Sequence, residues 1–251
     1  MNTSKLTLVG AGPGDPDLIS VKGVKAIGAA DVILYDALVD DDLLVYAKPS
    51  AKKIFVGKRA GKHSRSQTEI NMLIVQYAFS HGHVVRIKGG DPFIFGRGHE
   101  EMEYAEAFGI EVKVVPGISS STALPALQGI PLTKRGLNES FWVITGTTRS
   151  GELSKDIELA AQSTATIVIL MGMRKLREIV SVFTGYDRSE TPVVVIQNGS
   201  TSKEKIAIGT VDTIVEIAKK KKLSSPAIIV IGDVVGVHKQ FNYEQLKTVL
   251  A

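Results

Sequence analysis

The chain contains no cysteine. That absence excludes disulfides, thiolate nucleophiles, iron–sulfur clusters and cysteine-based zinc sites. It fits a reducing compartment, and a cytoplasmic location is expected. Long apolar runs are missing too. No stretch approaches the roughly 20 apolar residues that a membrane-spanning helix needs. The opening Met1-Asn2-Thr3-Ser4-Lys5 passes directly into an apolar strand without a signal-peptide core. No membrane partner is therefore expected. The five histidines show no metal-ligand spacing, so no metal is expected. Aromatic residues are only 6% of the chain, with a single tryptophan. They do not alternate with basic side chains as they do in single-strand binders. Low-complexity segments and clear internal repeats are also lacking. The charge is nearly balanced, at 30 Lys and Arg against 26 Asp and Glu. The resulting net charge of +4 and pI of about 9.1 suit an anionic ligand, either a nucleic acid or a polycarboxylate.

What is present is a globular α/β pattern. The 251 residues are 44% hydrophobic and 22% charged, enough for one large domain or two modest ones. Apolar runs at Leu6 to Val9, Val32 to Tyr35, Lys53 to Val56, Val84 to Ile87 and Glu111 to Val115 read as strands. Helical patterns separate several of them. A domain boundary is expected at Pro116–Gly117, giving domains 1–116 and 117–251. In the second domain, strands are expected at Phe141 to Thr145, Thr166 to Leu170, Val193 to Gln197 and Ala227 to Ile231. Lys205 to Gly209 reads as an added, antiparallel strand. The run Lys219 to Lys222 ends a helix, where cations favour the macrodipole.

The organising stretch runs from Lys88 to Glu101, a strand-to-helix turn of the kind where open α/β sheets place ligands. Gly89 and Gly90 permit positive φ and close approach to bare backbone. Asp91 supplies a carboxylate, and Phe93, Ile94 and Phe95 supply an apolar wall. A second glycine loop, Gly10-Ala-Gly-Pro-Gly-Asp15, follows the first strand. It lacks the third glycine of a dinucleotide fingerprint, and Asp15 in that place would repel a pyrophosphate. Asp36 stands at the end of a strand, as either a turn cap or a functional carboxylate. The segment Gly57 to Gln67 gathers Lys58, Arg59, Lys62, His63 and Arg65 among small residues, which makes an anion-binding loop credible. Lys134 and Arg135 form another basic turn.

Taken together, these pieces resemble the tetrapyrrole (precorrin-type) methyltransferases. The resemblance is carried by Val9 to Asp15, Tyr35-Asp36-Ala-Leu-Val39, Val56 to His63, Lys88 to Glu101, Val115-Pro-Gly-Ile-Ser119 and Gly129-Ile-Pro-Leu-Thr133. They occur in the family's order along nearly the whole chain. The segment Gly57 to His63 is similar to the branch that acts on uroporphyrinogen III. The resemblance implies two α/β domains with an active-site cleft between them, and a homodimer. It also implies methylation of uroporphyrinogen III at carbons 2 and 7 by S-adenosyl-L-methionine, which leaves S-adenosyl-L-homocysteine and yields precorrin-2 by way of precorrin-1.

Carried over residue by residue, the implied cofactor contacts are Pro13, Gly89, Gly90, Asp91, Ile94, Ser119, Ser120, Met171, Gly199 and Ala227. Asp36 would be the proton acceptor and Lys58 the proton donor. A polycarboxylate substrate needs cations, and Arg59, Lys62, Arg65, Arg97, Lys134 and Arg135 are the candidates, since guanidinium groups bind carboxylates bidentately. This chain departs from the usual pattern at Lys88, where arginine is common, and at His99, where glycine is common. Ser119-Ser120 stands in place of Thr-Ala, and Lys134 in place of a frequent histidine. Other enzymes of the superfamily, a polyanion-binding module and an NAD-dependent dehydrogenase are the competing readings. The Gly57 to His63 segment argues against the first, the Gly-Gly-Asp-Pro turn against the second, and Asp15 against the third. With a tetrapyrrole as the ligand, no nucleic-acid partner is expected.

Overall fold

Short runs of β-branched and aliphatic residues account for most strands of the protein, whose computed structural model describes residues 4–57 and 65–241. By its internal contacts the chain divides into two units, Met1–Ser119 and Ser120–Ala251. The loop expected to hold the domain boundary at Pro116–Gly117 stays with the first unit as far as Ser119. The reason is local: the Gly117 backbone lies against the backbones of Gly10 and Gly90.

The first unit is a five-stranded sheet in the order β3-β2-β4-β1-β5. Its strands are β1 (Lys5–Gly10), β2 (Val32–Tyr35), β3 (Lys52–Phe55), β4 (His83–Lys88) and β5 (Glu111–Val115). All paired neighbours run parallel. Side chains alternate between faces. Leu6, Leu8, Leu34 and Val84 point to a core shared with helices α2 (Gln67–His81) and α3 (Gly98–Glu106). Val9, Ile33, Val85 and Ile87 point to the other core, which α1 (Val21–Ala29) covers through Ile27. Two of these helices carry side-chain caps. The Ser20 hydroxyl accepts from Gly23 N–H at the start of α1, and Ser66 with Glu69 forms a reciprocal capping box at the start of α2. Asp40-Asp41-Asp42 opens a single 3₁₀ segment, Asp41–Tyr46, with Asp40 as its cap.

Neighbouring β1 and β4 send their connections in opposite directions along the sheet and to opposite faces, toward β2 and β5 respectively. That is the switch point where open parallel sheets bind ligands, at the carboxyl ends of the strands.

The second unit has its own five-stranded sheet, ordered β6-β7-β10-β8-β9. The strands are β6 (Phe141–Thr145), β7 (Thr166–Leu170), β8 (Pro192–Gln197), β9 (Lys205–Thr210) and β10 (Ala227–Ile231). Here β6 and β7 are parallel, whereas β10 runs antiparallel to both β7 and β8, and β9 antiparallel to β8. One face packs on α5 (Asp156–Ala161), α6 (Leu176–Gly185) and α7 (Ile214–Lys220) through Ile157, Ile179, Phe183, Ile214 and Ile217. The other face packs on Leu124 of α4 (Ser120–Leu127) and on Val234 and Val235. Among the described residues no helix is long and apolar enough to cross a membrane.

Candidate functional site

The carboxyl edge of the first sheet is built on glycine. An ideal Cβ on Gly10 would lie 2.4 Å from Gly117 Cα, and one on Gly117 only 2.3 Å from the Gly90 carbonyl oxygen. Three main chains therefore touch where side chains would normally keep them apart. Gly90 N–H donates to the Gly12 carbonyl at 2.7 Å, and Ala11 N–H to that of Lys88 at 2.8 Å, so the loop carrying Pro13 is tied to the loop carrying Gly90. The Asp91 carboxylate completes the tie. One oxygen accepts from Phe93 N–H at 2.8 Å and the other from Gly117 N–H at 2.9 Å, which brings the chain leading to Ser119 alongside.

The two adjacent glycines differ. Gly89 is small because its Cβ would sit 2.6 Å from the Leu38 side chain, a packing reason and not one of ligand approach. Gly90 has a φ of +68°, and a Cβ there would meet nothing within 4 Å. It presents bare backbone to open space, with Ile94 exposed in the same loop. That leaves room for a ligand to approach the main chain.

Beneath this edge lies a cluster of charges. Asp36 follows Tyr35 at the end of β2. Its Oδ1 accepts from Leu38 N–H at 3.1 Å, and its Oδ2 accepts from Arg86 Nη2 at 3.0 Å. Arg86 projects from central strand β4 opposite Leu34. Its Nη1 donates to the Ile87 carbonyl at 2.6 Å and its Nε to Glu101 Oε1 at 3.3 Å. Lys88 Nζ donates to the same Glu101 oxygen at 2.8 Å, and Gln67 Nε2 does so at 3.0 Å. The side chains of Arg86, Lys88 and Glu101 are 3%, 5% and 0% exposed, so this is a buried ionic network and not a solvated one. Burial, with the Arg86 charge nearby, pulls the Lys88 ammonium below its ordinary range, while Glu101 opposes that pull. Glu101 Oε2 has no hydrogen-bond partner among the described residues.

One of the expected substrate contacts already has a partner. Arg97, in a left-handed conformation at φ +60°, is clasped by Glu100 at 2.9 and 2.6 Å. That carboxylate holds the guanidinium above its usual range. A substrate carboxylate would have to share this cation. Arg65, Lys134 and Arg135 are exposed, the last two in a turn closed by Asn138. Lys58, Arg59, Lys62 and His63 lie outside the described residues. Asp15 caps the 3₁₀ turn Pro16–Leu18 through Asp17 N–H.

In the second unit the antiparallel β10 has a local consequence. Its first residue, Ala227, pairs with Gln197 at the end of β8, and Ile228 pairs with Leu170 at the end of β7. Ala227, Met171 and Gly199 thus gather on one sheet edge although they come from different ends of their strands. Met171 and Asn198 are both left-handed, at φ +56° and +48°, and such strain concentrates at functional edges. Gly199 is also required by packing, because a Cβ would lie 2.6 Å from both terminal carbons of Leu124. Ser120 opens α4 in the same unit.

Arg86 and Glu101 are the residues of this edge that motif reading passed over. The signal for Arg86 was available: an arginine inside Val84-Val85-Arg86-Ile87 is a charge in a central strand, and such a charge requires a buried partner. Lys88 shares its face, and Glu101 lies on the helix that follows.

Residues 5–215 match the family model for Tetrapyrrole (Corrin/Porphyrin) Methylases. The chain is 48% identical over 237 residues to a uroporphyrinogen-III C-methyltransferase of Methanocaldococcus jannaschii, covering 94% of this chain and 98% of that protein. It is 43% identical over 236 residues, 94% of this chain, to a siroheme synthase of Actinobacillus pleuropneumoniae, of whose length it spans only 48%. Among solved structures, a uroporphyrin-III C-methyl transferase from Thermus thermophilus complexed with S-adenyl homocysteine gives a TM-score of 0.79 at 37% identity. That match covers 93% of this chain and 99% of the Thermus chain.

Proposed function

The chain belongs to the tetrapyrrole (corrin/porphyrin) methylases, and from that premise we propose that it methylates uroporphyrinogen III at carbons 2 and 7, giving precorrin-2 by way of precorrin-1. The observation that carries this reading is the 48% identity to a uroporphyrinogen-III C-methyltransferase across 98% of that protein's length. S-adenosyl-L-methionine is the methyl donor, and it supplies an electrophilic methyl group on a sulfonium. The bare, open backbone at Gly90 suits it. Pro13, Gly89, Gly90, Asp91, Ile94 and Ser119 of the first unit would hold it, with Ser120, Met171, Gly199 and Ala227 as the second unit's contributions. Gly89 and Asp91 act there by shaping the loop, since the one packs on Leu38 and the other anchors Gly117 and Phe93.

The protein's own task is positioning. A reduced pyrrole carbon is already nucleophilic, so holding it in line with the methyl group supplies most of the rate. The proton lost after methylation needs an acceptor. Asp36 fits, being an ionisable, part-exposed carboxylate fixed at both oxygens. Lys58 is assigned as proton donor. Arg59, Lys62, Arg65, Lys134 and Arg135 are assigned to the substrate carboxylates, with Arg97 shared between Glu100 and substrate. The active species is assigned as a homodimer, which light scattering tests.

Incubation with S-adenosyl-L-methionine and freshly generated uroporphyrinogen III, followed by mass spectrometry, should show one and then two added methyl groups. Folded protein that methylates no reduced substrate would overturn the assignment.

A further inference from the structure

We propose that Arg86 is a positioning residue for Asp36, with Glu101 bracing the guanidinium from behind. The inference deepens the reading of Asp36 as proton acceptor and rests on it. Arg86 occupies a core position. On its face of the sheet the neighbouring strand residues are Leu8, Leu34 and Val84, all buried and apolar, and Lys88, the other buried cation held by Glu101. A leucine there would serve the core as well, because a buried ion pair rarely stabilises a fold more than apolar residues of the same volume.

What the arginine adds is direction. Its three nitrogens each have a separate anchor: Asp36 Oδ2 at 3.0 Å, Glu101 Oε1 at 3.3 Å and the Ile87 carbonyl at 2.6 Å. The guanidinium plane is thereby set. Because Leu38 N–H holds the other Asp36 oxygen at 3.1 Å, the carboxylate cannot rotate without breaking a bond at one end or the other. Glu101 bears the cost of this arrangement. It is fully buried, and Lys88 and Gln67 share the oxygen that faces Arg86, while its second oxygen has no partner among the described residues. A carboxylate left half-satisfied in a core is poorly explained by stability alone.

The test uses the full chain, S-adenosyl-L-methionine and uroporphyrinogen III. Arg86→Lys keeps the charge but replaces a rigid fork with a single point that cannot hold all three anchors. Its kcat should fall about 10- to 100-fold, with KM for S-adenosyl-L-methionine and the calorimetric affinity for S-adenosyl-L-homocysteine changed less than about twofold. Placed on Asp36→Asn, the same substitution should slow turnover little further, since the two residues act as one unit. Glu101→Asp, which draws the brace back by one methylene, should lower kcat in the same direction and gives the same comparison if Arg86→Lys does not fold. If Asp36→Asn is impaired while Arg86→Lys and Glu101→Asp turn over normally, the brace is wrong and the acceptor reading stands. Additive losses in the double variant also overturn the brace. Full turnover by Asp36→Asn overturns the acceptor reading and this inference with it.

Discussion

At Asp36 the two carboxylate oxygens have different duties. Oδ1 closes a turn on Leu38 and Oδ2 balances a buried arginine. Asp36→Asn retains the first and loses the second. Turnover should fall by roughly 10²–10⁴ if the carboxylate takes the proton. The denaturant midpoint should fall too, because Arg86 loses a counter-charge in a buried setting. Kinetics and unfolding on the one variant separate these effects.

The edge glycines make a second residue-scale pair. Gly90→Ala meets open space but a φ of +68°, so it should cost about 1–2 kcal/mol. Gly90→Val adds bulk on the surface proposed for the cofactor, and calorimetry should show weakened S-adenosyl-L-homocysteine binding in a folded protein. Gly117→Ala must push back the Gly90 backbone from 2.3 Å and should destabilise more than Gly90→Ala in the same denaturant titration. Asp36 and the Gly-Gly-Asp turn were legible in the sequence because turn chemistry is local. The different reasons for Gly89 and Gly90 were not, because Leu38 reaches Gly89 from another strand's loop.

Elements show the same division between local and distant information. The first sheet's strands and the helix from Gln67 could be read from apolar runs and from Ser66 with Glu69 three residues on. Ser66→Ala should therefore cost about 1 kcal/mol, read as a lowered midpoint with an unchanged denaturant slope. The antiparallel β9 was also visible, since the Lys205 to Gly209 run follows β8 after a short turn. The reversal of β10 against both its neighbours was not visible. An apolar strand buried on both faces carries no mark of its direction, which its connections decide. Nor could the sequence show that Arg86 and Glu101 meet, because their pairing depends on how α3 lies on the sheet.

For the molecule as a whole, one contribution to acid stability lies at the opposite, amino end of the first sheet. There the His83 imidazole bonds with Thr7 at 2.9 Å and with the Ala29 carbonyl at 3.2 Å, and the His83 main-chain N–H donates to Asp31, which also pairs with Lys48. Burial holds the His83 imidazole below its ordinary value of 6.5, and burial does the same to His238. The unfolded chain then takes up protons that the folded one resists. Their contribution to stability is full above pH 6.5 and is lost as pH falls through the depressed folded values. The Lys48 hydrogen bond lowers Asp31, so its contribution is present above 3.8 and lost in stronger acid. Denaturant midpoints measured from pH 8 to pH 5 should decline, and His83→Gln should flatten the decline. At the carboxyl end, the crossing of Gly10, Gly90 and Gly117 bears on a different property. The amides of Gly90 and Gly117 belong to loops, yet one donates to a neighbouring main chain at 2.7 Å and the other to the Asp91 carboxylate at 2.9 Å. Loop amides normally trade their hydrogens with solvent quickly. These two should exchange as slowly as strand interiors, and Asp91→Asn should release Gly117 before any strand amide opens.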